Sequence, residues 1–237
     1  MKSTNLNSLP IPLDPDWIKD ALNHPLPGNE AHSRMSGRAP QTMQIPEGAT
    51  EAAVMIAIIA RPDSIQPSGL AADLRSTGLE IERYNPGLFP LILRPGNQGP
   101  HSGQISLPGG KREKGESLKD TALRETEEEI GLNSSKIHVL GKLTPLYIPV
   151  SGFAVHPYVG WFDTVPQFKR DPLEVEQILF YDMLRLSSSD YRTVFDFNYN
   201  GRSFESPGFK LEDRIIWGAT AMILMEFTEH LLSRANQ

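Results

Sequence analysis

Three glutamates, Glu125, Glu128 and Glu129, are the residues of this sequence whose type and spacing suit chemistry. Spacings of three and four residues bring side chains to one face of a helix, so these acids must share a small patch of surface. Like charges this close repel each other unless a cation lies among them, and oxygen ligands suit hard ions such as Mg²⁺ or Mn²⁺. A solvated acidic face is the alternative, because charge runs on helices commonly have that role.

The residues around these acids favour a metal site. A turn at Gly109 and Gly110 lets a backbone carbonyl approach an ion closely, so Gly110 is a candidate ligand through its oxygen. Arg124 is placed to steady the carboxylates without taking a ligand position, and Glu116, just before the helix, is its expected partner. These two residues therefore join the glutamates as candidates for the catalytic machinery.

Residues 117–130 are predicted to form the helix that carries the acids. Ser117 and Asp120 make a capping-box pattern, and Gly131 stands where a left-handed C-cap would fall. The predicted inward stripe consists of Leu118, Ala122, Thr126 and Ile130. The sequence thus predicts a helix that presents the three acids on one side.

Short apolar runs separated by turns make up most of the remaining chain. Residues 51–60 are interpreted as a buried strand, although their alanine content leaves a helix open. Further predictions are strands at 88–94, 104–107, 136–143, 147–150 and 154–163, a hairpin at 195–204 with Asn200-Gly201 at its tip, and a helix at 216–233 that buries Trp217. Because strands and helices do not alternate strictly, we expect an α+β fold with a mixed sheet.

One domain is expected. Residues 1–48 are rich in Pro, Asn and Ser and are interpreted as a partly irregular arm on the surface. Residues 49–237 are predicted to form the domain itself, with an insertion at about 61–90. A connection of that length commonly carries function or is mobile.

Composition excludes several classes of function. The absence of cysteine removes disulfides, thiolate nucleophiles and Cys-based metal sites. A formal net charge of −6 argues against nucleic-acid binding by clustered basic residues. Because neither an export signal nor a membrane-length apolar stretch is present, we expect a cytoplasmic protein with no membrane partner. The oligomeric state stays open, with a homodimer among the options.

At these spacings the acidic helix and the turn before it follow the pattern G-x5-E-x7-R-E-x2-E-E-x-G-L, which is similar to the Nudix box. The matching residues are Gly110, Glu116, Arg124, Glu125, Glu128, Glu129, Gly131 and Leu132. Thr126 stands where the pattern prefers an aliphatic residue and is the one departure. Fixed spacing over this many positions is more specific than a short motif.

The resemblance implies a Nudix-type α/β/α sandwich with a mixed sheet. It also implies Mg²⁺- or Mn²⁺-dependent hydrolysis of a small molecule in which a nucleoside diphosphate is linked to another group. Carried onto this sequence, the metal ligands would be Glu125, Glu128, Glu129 and the carbonyl of Gly110. Which carboxylate accepts the proton differs within the family, so Glu125 and Glu128 are both candidates and Glu174 is a more remote one.

Segments outside the box resemble the coenzyme A pyrophosphatase branch of this family, namely residues 91–94, 101–110, 151–153, 157–160, 174–176 and 216–221. The likeness implies cleavage of coenzyme A or its acyl derivatives to 4′-phosphopantetheine and adenosine 3′,5′-bisphosphate. Substrate contacts would then come from Arg94, His101, Gly103 and Gln104. For His101, phosphate contact and plain solvation are equal alternatives.

Two positions depart from the branch pattern. Gly99 replaces an expected basic residue and Leu107 an expected Phe. Because glycine cannot supply the bidentate phosphate contacts of arginine, a broader pyrophosphatase acting on NADH or ADP-ribose is an alternative. A non-catalytic ligand-binding regulator on the same fold is an alternative of another class, although the intact glutamates give it no positive support.

Overall fold

An eight-stranded sheet dominates the computed structural model, which describes residues 11–36, 44–59, 87–96, 102–164, 166–199 and 202–237. Its strands are β1 (Thr50–Ile59), β2 (Leu88–Leu93), β3 (Ile105–Ser106), β4 (Gly109–Lys111), β5 (His138–Lys142), β6 (Leu146–Ile148), β7 (Phe153–Phe162) and β8 (Gln177–Asp182). The main path runs β3-β2-β1-β7-β5, with β4 paired to β1, β6 to β7 and β8 to β2. Since β1 and β7 are parallel and the other pairs antiparallel, the predicted mixed sheet is confirmed.

Helices cover both faces of this sheet. They are α1 (Pro15–Leu22), α2 (Asn29–Arg34), α3 (Leu118–Ile130), α4 (Met183–Ser187) and α5 (Gly218–Ala235). Successive side chains of a strand point to opposite faces, so Met55 of β1 packs with Ala122 of α3 on one side. Ile56 of β1 packs on the other side, in a cluster that contains buried side chains of α1, α2 and α5. The predicted α/β/α sandwich is therefore confirmed.

Residues 11–36 contain two short helices joined by irregular segments, and they pack into the core instead of lying on the surface as the sequence predicted. Ile18 of α1 is fully buried in the core. His32 of α2 pairs with the buried carboxylate of Glu226 in α5, with 3.0 Å between His32 Nε2 and Glu226 Oε2. The arm interpretation is wrong for these residues because the apolar side of α1 fills part of the core. The division of the chain near residue 48 stays a prediction.

A second sheet of three strands, β9 (Arg192–Tyr199), β10 (Arg202–Leu211) and β11 (Arg214–Trp217), packs beside the first. The β9–β10 pair confirms the predicted hairpin, whereas its Asn200-Gly201 tip lies outside the described residues. Trp217 ends β11 and is not on the buried face of the last helix, which begins one residue later. Its ring lies 5.0 Å from that of Phe197, centroid to centroid. The strand ends here because Gly218 adopts a positive φ of 63°.

Helix α3 begins and ends where the sequence predicts. The hydroxyl of Ser117 accepts a hydrogen bond from the backbone N of Asp120 at 3.2 Å. Gly131 closes the helix in the left-handed conformation, with a φ of 74°. The hydroxyl of the buried Thr126 donates to the carbonyl of Ala122 at 2.7 Å. A threonine is thus accommodated where the pattern prefers an aliphatic residue, because its hydroxyl is satisfied within the helix.

Candidate functional site

Two glycines let β4 lie directly against the acidic face of α3. A Cβ atom at Gly109 would be 2.2 Å from the carbonyl oxygen of Ala53, and the residue has a φ of 150°. A Cβ atom at Gly110 would be 2.6 Å from the carboxylate of Glu125. Only glycine fits at Gly109, where the conflict is with the backbone of β1, whereas a methyl group at Gly110 would displace the Glu125 carboxylate. The turn predicted from the sequence therefore places the backbone beside Glu125.

Glu129 is the most deeply buried acid of the site, with 1% of its surface exposed. Its Oε2 accepts a hydrogen bond from the backbone N of Gly109 at 2.8 Å. Burial raises the pKa of Glu129 to about 8; the Gly109 hydrogen bond and the charge of Arg94 oppose the rise, and Glu125 and Glu174 add to it. A bound cation would favour the ionised form that burial disfavours.

Glu174 joins two of the helix glutamates from a distant part of the chain. Glu125, Glu129 and Glu174 each place one carboxylate oxygen within 4.8 Å of the others. Burial raises the pKa of Glu125 as well, and the charges of Glu128 and Glu174 add to this rise while Arg124 opposes it. The loop after β7 carries Glu174, so no helical spacing relates it to α3. For that reason the sequence indicated Glu174 only as a remote candidate, and for proton transfer instead of metal binding.

These three carboxylates fit a hard divalent ion. Mg²⁺ binds oxygen ligands at about 2.1 Å, so ligands on opposite sides of it lie about 4.2 Å apart. The three carboxylate oxygens lie within 4.8 Å of one another, so a small movement of the side chains would bring them to that separation. Burial raises the pKa of both Glu125 and Glu129, because it disfavours their ionised forms. A bound cation would offset that cost. The donor set accordingly suits Mg²⁺ or Mn²⁺.

Arg124 connects the metal-facing acids to the rest of the box. Its Nε donates a hydrogen bond to Glu116 Oε1 at 2.9 Å, and its Nη2 donates one to Glu116 Oε2 at 3.2 Å. Hydrogen bonding to Arg124 is the main cause that lowers the pKa of Glu116 to about 2. Arg124 Nη1 donates to Glu125 at 2.9 Å and to Glu128 at 2.8 Å. Its Nη2 donates to the carbonyl of Lys111 at 3.2 Å. The predicted contact between Arg124 and Glu116 is therefore confirmed.

The structure separates Glu128 from the other predicted ligands. Its side chain is 59% exposed, and it is not one of the three acids whose oxygens converge. Its bond to Arg124 Nη1, the nitrogen that also binds Glu125, keeps it next to them. Glu128 thus borders the cluster from the solvent side.

The predicted substrate contacts lie on the connection between β2 and β3. Arg94 directly follows β2, and its backbone N donates to the carbonyl of Gln104 at 3.0 Å. The backbone N of Gly103 donates to the carbonyl of Arg94 at 3.2 Å. These three residues therefore close one turn, and the charge of Arg94 acts on Glu129. His101 lies outside the described residues.

An open cleft of about 490 Å³ lies beside β4 and the loop that leads into α3. It does not include the converging carboxylates. Its charged lining residues are Lys111, Arg112 and Lys114, with Glu51 and Glu113. Because the carbonyl of Lys111 accepts a hydrogen bond from Arg124, this cleft, with three basic and two acidic lining residues, adjoins the acidic site. No pattern in the sequence predicts this cleft, although Arg112, Glu113 and Lys114 of its lining are consecutive in one short loop.

The fold and the site together define a class of hydrolase in which carboxylates on one helix, behind a glycine turn, bind a divalent metal. A family model for the NUDIX domain matches residues 84–185. The chain is 32% identical over 207 residues to the Nudix hydrolase NudL of Yersinia enterocolitica, covering 86% of this chain and 92% of that protein. It is 34% identical over 158 residues to the Nudix hydrolase NudL of Yersinia pestis, covering 61% of this chain and 77% of that protein.

The chain belongs to the Nudix family and is a hydrolase of pyrophosphate-containing substrates. Members of this family generally use divalent ions such as Mg²⁺ or Mn²⁺. Among solved structures, the MutT protein of Methanosarcina mazei is similar to 81% of this chain over 99% of its own length, at 17% identity and a TM-score of 0.45. Within the described residues, no helix has both the length and the apolar character needed to cross a membrane.

Proposed function

We propose that the protein hydrolyses the pyrophosphate bond of coenzyme A or its acyl derivatives, giving 4′-phosphopantetheine and adenosine 3′,5′-bisphosphate. The observation that carries the hydrolytic chemistry is the convergence of Glu125, Glu129 and Glu174 beside the glycine turn. The choice of coenzyme A is supported by residues 91–94 and 101–110, which resemble the coenzyme A pyrophosphatase branch. These segments lead from Arg94 directly into the glycine turn.

In this proposal Glu125, Glu129 and Glu174 hold the divalent ion, with the carbonyl of Gly110 as a further oxygen ligand. When bound, the ion screens the diphosphate, lowers the pKa of water and stabilises negative charge on the leaving phosphate. Glu129 would hold the ion as a carboxylate, the form that its burial disfavours when no cation is present. Arg124 holds Glu125 in place before the ion arrives.

Proton transfer from the attacking water falls to Glu128. Its carboxylate is exposed, and it shares Arg124 Nη1 with Glu125. It therefore lies beside the metal ligands without being one of them, whereas Glu125, the other candidate, is occupied as a ligand. A positioned general base contributes roughly 10²- to 10⁴-fold to the rate.

The cleft beside β4 receives the 3′-phosphate of coenzyme A, a group that NADH and ADP-ribose lack, through its three basic side chains. Lys114 is the cleanest probe of this contact, because Arg112 already donates to the carbonyl of Glu116 at 2.6 Å. An exposed ion pair contributes about 0.2–1 kcal/mol, so Lys114→Ala should raise KM for coenzyme A by up to about fivefold. Dephospho-coenzyme A, which lacks this phosphate, is the matched control and should show no such change.

The broader pyrophosphatase is retained as a second candidate, because Gly99 stands where the coenzyme A pyrophosphatase pattern expects a basic residue. Incubation with Mg²⁺ and each of coenzyme A, acetyl-coenzyme A, NADH and ADP-ribose, followed by separation of the products, distinguishes the two. We expect 4′-phosphopantetheine and adenosine 3′,5′-bisphosphate from coenzyme A, and no products with Glu129→Gln. Turnover of NADH or ADP-ribose alone would establish the second candidate instead.

A further inference from the structure

The loop that carries Glu174, residues 166–176, is attached to the end of α3 by its backbone. The backbone N of Lys169 donates to the carbonyl of Ile130 at 3.0 Å, and the backbone N of Asp171 donates to the carbonyl of Glu129 at 2.9 Å. These bonds satisfy carbonyls that the last turn of a helix leaves without partners. The loop is thereby joined to the backbone of a proposed metal ligand.

Asp171 is the centre of the turn that follows. Its Oδ1 accepts a hydrogen bond from the backbone N of Leu173 at 2.8 Å. Its carbonyl accepts from the backbone N of Glu174 at 3.3 Å and from that of Val175 at 2.8 Å. An aspartate that bonds the backbone two residues ahead closes a tight turn by itself. The backbone of Glu174 is therefore enclosed in a turn built on Asp171.

The far side of Glu174 is anchored as well. Val175 is fully buried against the α3 face of the sheet. The backbone N of Glu176 donates to the carbonyl of Leu93 at 2.9 Å, and Arg170 Nη1 donates to the carbonyl of Val175 at 2.8 Å. The chain is thus held on one side of Glu174 by the bond from Asp171 to Glu129, and on the other by Val175 and Glu176. Only the turn centred on Asp171 lies between these two fixed points. The direction of the Glu174 side chain depends on that turn.

We propose that Asp171 is a positioning residue: its side chain closes the turn that holds Glu174 within reach of Glu125 and Glu129. This inference rests on the proposed function, in which Glu174 is a metal ligand. Asp171 acts through its Oδ1 acceptor and not through its charge. Asparagine keeps that acceptor without the charge, and alanine removes both, so these two variants separate the mechanisms.

Binding of Mn²⁺ to the substrate-free protein, measured by calorimetry, is the primary test. Asp171→Ala should weaken Mn²⁺ binding by roughly tenfold, at the lower end of what is typical when a residue that orients a ligand is removed. Asp171→Asn should keep wild-type affinity. In turnover assays, Asp171→Ala should lower kcat and leave the KM for substrate unchanged, because the hydrogen bonds of Asp171 described above are made to the turn and to Glu129 and not to the proposed substrate residues. Equal losses in the Asn and Ala variants would overturn the proposal.

The same measurement in a Glu174→Gln background shows whether Asp171 acts through Glu174. If it does, Asp171→Ala should cause no further loss of Mn²⁺ affinity once Glu174 is replaced. A loss of equal size in both backgrounds would identify a general structural role and refute the positioning role. If Asp171→Ala folds poorly, the asparagine variant still decides, because the proposal requires wild-type affinity from it.

Failure of this inference is distinguishable from failure of the proposed function. Glu174→Gln with unchanged Mn²⁺ affinity would remove Glu174 from the ligand set and overturn the positioning role of Asp171 with it, whereas the coenzyme A assignment would still stand. Absence of coenzyme A turnover would overturn the substrate assignment alone, because the Mn²⁺ measurements use no substrate. A persistent effect of Asp171→Ala in the Glu174→Gln background would overturn the positioning role alone.

Discussion

Replacing Glu129 by glutamine removes a buried acid from the metal-free protein while keeping its size and its hydrogen-bond acceptor. Glu129 is 1% exposed, and the backbone N of Gly109 donates to its Oε2 at 2.8 Å. Glutamine preserves that bond through its carbonyl oxygen. The substitution therefore isolates the cost of the buried charge, and we expect it to stabilise the protein above neutral pH when no metal is present.

The size of this effect follows from the pKa of Glu129, about 8 in the folded protein against an ordinary value of 4.5. Between these values the folded protein holds the proton more tightly than the unfolded chain does. Its stability therefore falls as pH rises through this window, by about 1.4 kcal/mol per pH unit. Across the whole window the loss approaches ~5 kcal/mol. Glu129→Gln lacks this titration, so its unfolding free energy should depend less on pH.

Urea unfolding at several pH values between 5 and 8.5, with a chelator present, would measure the difference. The two proteins should be similar near pH 5, and the variant should be more stable by several kcal/mol near pH 8. Excess Mg²⁺ should narrow this difference, because binding to the folded state stabilises only the wild type appreciably, by about 2.7 kcal/mol at 100 times the dissociation constant. Parallel stability curves in chelator would refute the assignment of a raised pKa to Glu129.

Three further predictions concern the roles within the site. Glu128→Gln should lower kcat by roughly 10²-fold or more and keep the wild-type affinity for Mn²⁺. Glu174→Gln should weaken Mn²⁺ binding. The opposite pattern would exchange the roles of the two residues. Gly110→Ala should weaken Mn²⁺ binding in calorimetry, because its Cβ would lie 2.6 Å from the Glu125 carboxylate; unchanged affinity would show that the turn adapts. Arg124→Lys should reduce kcat by about 10- to 100-fold because lysine cannot bridge all the acceptors of Arg124; wild-type kinetics would contradict a positioning role.

Much of the site was predictable because its residues share one short stretch of chain. The spacing of Glu125 and Glu129 sets their common face once a helix forms, and local signals at Ser117 and Gly131 define that helix. The contact between Arg124 and Glu116 follows from the same stretch, since one is in the helix and the other just before it. Local periodicity and capping act over a few residues, so sequence can report them.

The N-terminal helices illustrate what local signals miss. The side chain of Asp14 caps a helix that begins at Pro15, and both of these signals are local. Its packing into the core depends on contacts with α5, about 200 residues further along the chain. Nothing within residues 15–22 indicates which surface will cover their apolar side. The interpretation as a surface arm failed for that reason.

Local patterns along the chain predict the acidic helix and the glycine turn, and from these two elements a divalent-metal site of the Nudix type is expected. The tertiary structure alone decided which acids converge: it brings Glu174 to Glu125 and Glu129, and leaves Glu128 at the solvent edge. It also decided the protonation of Glu129, because a raised pKa depends on how completely neighbouring elements exclude water. Spacing along a helix relates residues only within a few turns, whereas convergence and burial depend on how distant segments pack together.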